Sequence, residues 1–73
     1  MKVDVYGLDD CTYCKLIRHA LKKADLSWQE HNINVQEFHK LYPDQEYPAV
    51  TIDDVCIGGA PALVKYLTEK KLI

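Results

Sequence analysis

"DDCTYCKLIRHALKKA", residues 9 to 24, decides how the rest of this 73-residue chain is read. From Cys11 onward Leu16, Ile17, Ala20, Leu21 and Ala24 recur at helical spacing, while Lys15, Arg18, His19, Lys22 and Lys23 take the outer face. The segment is therefore an amphipathic helix with two cysteines at its start. Before it, Val3 and Val5 alternate with Asp4 and Tyr6 and stop at Gly7, the period of a short strand. A strand that feeds directly into a helix opens a β-α-β unit, and such crossovers are right-handed with parallel strands.

The remaining chain supplies the partners. A second strand is expected over about Ser27 to Ile33, although Trp28, Glu30 and Asn32 alternate only weakly. Asn34 followed by Glu37 has the spacing of a capping box, and Phe38, Leu41 and Tyr42 give the short helix behind it an apolar stripe that Pro43 ends. "PAVTIDDVCIGG" reads as a hairpin, with Ala49–Ile52, a turn at Asp53-Asp54, and Val55–Ile57. Gly58-Gly59 breaks it. Pro61 suits the first turn of a last helix, whose Leu63, Val64, Tyr66 and Leu67 are expected to pack inward. The order β-α-β-α-β-β-α, without linker or repeat, predicts one domain over residues 1–73: an α/β sandwich with a mixed sheet and helices on both faces.

With 48% hydrophobic and 27% charged residues the chain can bury a core. Its net charge of −2, from nine basic and eleven acidic residues, offers no electrostatic footprint for nucleic acid or anionic lipid. The opening "MKVDVYG" has no apolar run of a signal peptide, and no stretch approaches the ~18 apolar residues of a membrane span. The expected setting is the cytoplasm, where thiols stay reduced and three cysteines do not form a secreted disulfide framework.

Cys11 and Cys14 could be a clamp, a metal site or a redox couple. At helical spacing their Cβ atoms would lie ~5 to 6 Å apart, whereas a disulfide needs ~3.5 to 4.5 Å. Cys11 must then sit at the non-helical cap. There the unpaired N–H groups and the positive end of the helix dipole favour thiolate over thiol, while Cys14, one turn in, feels less of that field. A clamp closing so short a loop would stabilise little. Zinc would need two more ligands from Cys56, His19, His31 and His39, which form no second paired motif. His19 and His39 read as solvated surface residues, and Cys56, inside the last strand, as a small packed hydrophobe. The redox couple is the reading that remains strongest.

"CTYC" after a first strand, "YPAVTI" at residues 47–52 and "IGG" at 57–59 together resemble a glutaredoxin over nearly the whole chain. The resemblance implies a thioredoxin fold with a four-stranded mixed sheet and three helices, and a cis bond at Tyr47-Pro48 beside the cysteine pair. It also implies a thiol-disulfide oxidoreductase. Cys11 would attack a protein disulfide or a glutathione mixed disulfide, and Cys14 would resolve the intermediate. Thr12 and Tyr13 would flank a groove for substrate or glutathione, with Tyr47 pairing through its backbone, Pro48 beside it, and Gly58, Gly59 and Ala60 at the far wall. The implied protein is a monomer with no tightly bound cofactor and with glutathione as co-substrate. The alternatives are an iron-sulfur or zinc module using Cys11, and an interaction module that only docks partners.

Thr12 stands where proline is usual in the glutaredoxin motif, and losing that fixed φ leaves the motif's hydrogen bonding, and hence its potential, open to change. Two further departures bear on glutathione. Ala60 and Pro61 replace the small or polar residue and aspartate whose N–H groups would hold a γ-glutamyl carboxylate, and Pro61 has no N–H to give. Asp9 and Asp10 stand where a basic residue is common, and would repel a carboxylate and oppose the Cys11 thiolate unless one of them caps the helix. The proline also resembles the small hydrogen donors of ribonucleotide reductase, which thioredoxin reductase recycles, and very short bacteriophage glutaredoxins combine both patterns. Glutathione binding is therefore expected to be weak.

Overall fold

The computed structural model describes residues 1–8 and 11–73. Its elements are β1 (Val3–Gly7), α1 (Thr12–Lys23), β2 (Gln29–Asn32), α2 (Val35–Leu41), β3 (Ala49–Ile52), β4 (Val55–Gly58) and α3 (Ala60–Glu69). The sheet runs β2-β1-β3-β4, with β1 parallel to β2 and the pairs β1/β3 and β3/β4 antiparallel. This is the thioredoxin fold that the resemblance implied, with the expected order and mixed sheet.

Each face of the sheet is set by the strand period. Val3 pairs with Ile52 and Val5 with Val50, and these four join Ile17, Leu21, Leu63 and Leu67 in the core under α1 and α3. The other face carries Asp4, Tyr6 and Thr51 and is covered by α2, whose Phe38 is fully buried. The Phe38 ring lies 5.8 Å from Tyr6, 5.4 Å from Tyr42 and 5.6 Å from Tyr47, centroid to centroid. Asp4 is buried there with both carboxyl oxygens partnered: His31 Nε2 lies 2.8 Å from its Oδ1, and Thr51 Oγ1 donates to its Oδ2 at 3.5 Å. Tyr6 stacks on the same imidazole at 4.6 Å.

The ends of the elements follow their capping chemistry. Asn34 Oδ1 accepts the Glu37 N–H at 2.8 Å and starts α2. Asn34→Ala is expected to lower unfolding stability by ~1 kcal/mol, read as a shift of the urea midpoint with an unchanged slope. Asp53 and Asp54 have φ of 51° and 68°, so the hairpin turns through two left-handed residues, as a tight turn matching strand twist requires. Asp53 is also tied to the start of the chain, donating its N–H to the Lys2 carbonyl at 2.7 Å and accepting the Lys2 N–H at 2.8 Å.

Four expectations need correction. Strand β2 is shorter than Ser27 to Ile33, because only Gln29–Asn32 align with β1. Leu41 is exposed on a helix just long enough to bury Phe38. Leu16 and Val64 are exposed as well. On a helix each residue lies ~100° round from its neighbour, so the turn of α1 that points Ile17 at the sheet points Leu16 aside, and Leu63 does the same to Val64.

Candidate active site

Cys11 is the N-cap of α1, with extended backbone at φ −77° and ψ 126°, and its carbonyl accepts the first helical bond from the Lys15 N–H at 3.1 Å. Its side chain therefore faces the donors that the first turn leaves unpaired. As a neutral thiol it makes no capping hydrogen bond. Partial burial pushes the Cys11 thiol up, but the Cys14 N–H and thiol, the Tyr13 N–H and the Arg18 guanidinium outweigh that and bring it below an ordinary thiol. Cys14 is fully buried. Burial, its hydrogen bond to Cys11 and the adjacent Cys11 charge push it up to about 11. Both are free thiols, one half-exposed and poised, the other enclosed and protonated.

The enclosure of Cys14 depends on Gly7. A Cβ at that position would lie 2.2 Å from Cys14 Sγ and 3.2 Å from Pro48 Cβ. The end of β1 thus passes between the second cysteine and the proline loop with no room for a side chain. Tyr47-Pro48 is cis, and Pro48 is buried. The Tyr47 hydroxyl donates to the Ile33 carbonyl at 2.6 Å and anchors this loop to the entrance of α2. Burial, then the charges of Cys14 and Cys11, push that hydroxyl's pKa up, so it remains a donor.

A cleft of about 470 Å³ opens beside these groups, lined by Tyr13, Val35, His39, Glu46, Tyr47, Pro48, Gly59, Ala60 and Pro61. Of the residues named from the sequence, Tyr13, Tyr47, Pro48, Gly59 and Ala60 line it. Thr12 opens α1 with its side chain exposed and is not among the lining residues. Gly58 closes β4 and is not among them either; its φ of 121° lets the strand turn into α3. Asp9 and Asp10, expected to act on Cys11, lie outside the described residues.

Other placements depart from the sequence reading. His39 is exposed but lines the cleft, its Nε2 3.0 Å from the Gln45 carbonyl. Val35, at the start of α2, and Glu46 were missed; the loop between Tyr42 and Pro48, which holds Glu46, carries no periodic pattern that predicts what it faces. Glu46 Oε2 comes within 3.8 Å of where a Gly59 Cβ would stand, which sets a carboxylate beside the start of α3. Arg18 is braced against β2: its guanidinium makes a two-point contact with Glu30, Nη2 to Oε2 at 2.8 Å and Nε to Oε1, and Trp28 Nε1 donates to the same carboxylate at 3.0 Å. Cys56 is half-buried on the edge strand β4, where burial pushes its thiol up. Among the described residues no three His, Cys, Asp or Glu side chains cluster as a metal site, and no helix is long and apolar enough to cross a membrane.

The family model described as glutathione S-transferase, N-terminal domain, matches residues 5–71. Among solved structures, glutaredoxin 1 from Francisella tularensis, complexed with cacodylate, is 26% identical, with 97% of this chain and 95% of that one covered and a TM-score of 0.76. A buckwheat glutaredoxin-glutathione complex is 17% identical over 96% of this chain and 71% of that one, with a TM-score of 0.76. Glutathione transferase E6 from Drosophila melanogaster is 21% identical with a TM-score of 0.77 and covers 93% of this chain, which spans only 34% of that protein. The last two show the fold alone. No curated protein sequence matches the chain.

Proposed function

This chain belongs to the glutathione S-transferase N-terminal domain family, and from that premise we propose that it is a thiol-disulfide oxidoreductase of glutaredoxin type, with Cys11 as nucleophile and Cys14 as resolving thiol. The observation that carries this reading is the unequal pair at the start of α1: Cys11 below an ordinary thiol and half-exposed, Cys14 at about 11 and enclosed. The Cys11 thiolate attacks one sulfur of a target disulfide; that bond breaks, the other target sulfur leaves and takes up a proton, and a mixed disulfide remains on Cys11. Once Cys11 is bonded to the target, its negative charge and its hydrogen bond no longer oppose ionisation of Cys14. Cys14 then loses its proton and attacks Cys11 Sγ, which releases the second target thiol and leaves the Cys11-Cys14 disulfide. Two electrons have passed to the target, and a thiol reductant must restore them.

The restoring reductant is either glutathione or a thioredoxin reductase, and the cleft favours weak use of glutathione. Pro61 at the start of α3 removes one N–H, and Glu46 places a carboxylate where the tripeptide's own carboxylate would seek the helix end. The target class is a protein disulfide, with ribonucleotide reductase as one candidate, and the proposed setting is a cytoplasmic monomer. Reduction of the Cys11-Cys14 disulfide by NADPH and thioredoxin reductase, compared with reduction by glutathione, tests this directly. The reductase is expected to be the faster route, and efficient turnover by glutathione alone would overturn the preference. Pro61→Ala, which restores an N–H facing an anion, is expected to tighten glutathione binding about tenfold, since a charge-assisted hydrogen bond contributes ~1.5 to 3 kcal/mol. Calorimetry reads the change.

A further inference from the structure

A second groove, of about 580 Å³, runs between α1 and α3 and shares Tyr13, Ala60 and Pro61 with the reaction cleft. Beyond those three it is lined by Leu16, Ala20, Val64 and Ile73, with His19 and Lys23 as its polar members; Leu16 is 51% and Val64 44% exposed, and Tyr13 at the junction 59%. These side chains form one stripe because Leu16 follows Tyr13, and Val64 follows Pro61, by one helical turn. Lys23 stands at the far end. Of the basic residues on α1 only His19 and Lys23 line this groove, and the helix carries no acidic residue, on a chain whose net charge is −2.

Resting on the oxidoreductase reading, we propose that this groove is the docking track for the protein substrate: it receives an extended segment next to the reacting cysteine that carries a large apolar side chain followed by an acidic residue. Continuity with the cleft sets the direction, because a chain whose sulfur is bonded to Cys11 can pass Tyr13 and enter the groove without leaving the surface. Helical rise sets the spacing. Leu16 lies ~7 Å along the axis from Cys11 and Lys23 ~18 Å, at ~1.5 Å per residue. An extended chain covers ~3.3 Å per residue, so the apolar anchor falls about two or three residues from the reacting cysteine and the acid about three residues later. Lys23 selects the acid, and the exposed Leu16 and Val64 give the anchor its place.

The test uses two peptides, one with Leu and Glu at those distances from the cysteine and one with Ser and Lys instead. Each is made glutathionylated for rate measurement and with Ser for Cys for binding by amide chemical shifts. The Leu/Glu peptide is expected to bind, moving the signals of Leu16, Lys23 and Val64, and to react about tenfold faster than its control, a difference of ~1.4 kcal/mol. Leu16→Ser/Val64→Ser is expected to abolish the shifts and equalise the two rates while leaving reduction of a small disulfide unchanged. Equal rates and no binding in the wild type would overturn the docking track and leave the oxidoreductase standing. Binding without reduction of any disulfide would support the track and overturn the oxidoreductase reading. A dimer in sedimentation that the double substitution disperses would overturn it in favour of a second copy of the chain.

Discussion

Cys11→Ser is expected to lower disulfide reduction by roughly 10³-fold or more, because a serine hydroxyl cannot become the nucleophile that a thiolate is. The assay is single-turnover reduction of a glutathionylated substrate. Cys14→Ser separates the two roles: it leaves the first attack intact, so a mixed disulfide on Cys11 accumulates and is seen by mass. The pH dependence carries a sign that follows from the site. The Cys11 thiol is held below an ordinary thiol, so its thiolate persists to lower pH than that of a free cysteine. Alkylation of Cys11 by iodoacetamide should therefore fall off only at a pH below that of a free cysteine peptide. Cys14, raised to about 11 in the dithiol form, stays protonated across the same range and should be protected. Equal alkylation of both thiols, or a Cys11 profile matching the free peptide, would contradict the assignment of roles.

Gly7→Ala is expected to cost ~3 kcal/mol of stability, the upper part of the range for overpacking a filled core. The added methyl would stand 2.2 Å from Cys14 Sγ and 3.2 Å from Pro48 Cβ. Neither neighbour can yield cheaply. Cys14 is fully buried on α1, and Pro48 is held in its loop, so relief has to come from moving β1, α1 or the proline segment. For a domain of 60 to 100 residues each kcal/mol shifts the midpoint temperature by ~4 to 8 °C, so thermal unfolding should drop by well over 10 °C. A variant that kept the wild-type midpoint and kept Cys14 closed to alkylating reagents would show that β1 does not wall in the second thiol. If the variant folds at low temperature, Cys14 should alkylate faster, as its enclosure is what opens.

Much of this was legible because it is local. The helical period from Cys11, the Asn34 cap, the Asp53-Asp54 turn and the stop at Gly58-Gly59 each depend on a few neighbouring residues, and the structure places those elements as their chemistry requires. The two cysteines drew attention through spacing alone, and the position of Cys11 as N-cap follows from the same reasoning about where a helix leaves its donors. The weakest strand in the sequence, β2, was weak for a physical reason: it is an edge strand with its side chains mainly exposed, so little selects an alternating pattern.

What tertiary structure alone decided is what each residue faces. Asp4 alternates like a solvent-facing residue, yet α2 covers its side of the sheet and His31 and Thr51 satisfy it. Leu16 and Val64 match a core period and stay exposed, because two helices packed on one sheet leave a groove between their outer flanks that no third element fills. Glu46 reaches the cleft from a loop without periodicity, and His39 from an exposed position on α2. A sequence determines the hydrogen bonds and turns that its own neighbours can make; which face of an element is buried depends on what packs against it, and that contact joins residues far apart in the chain.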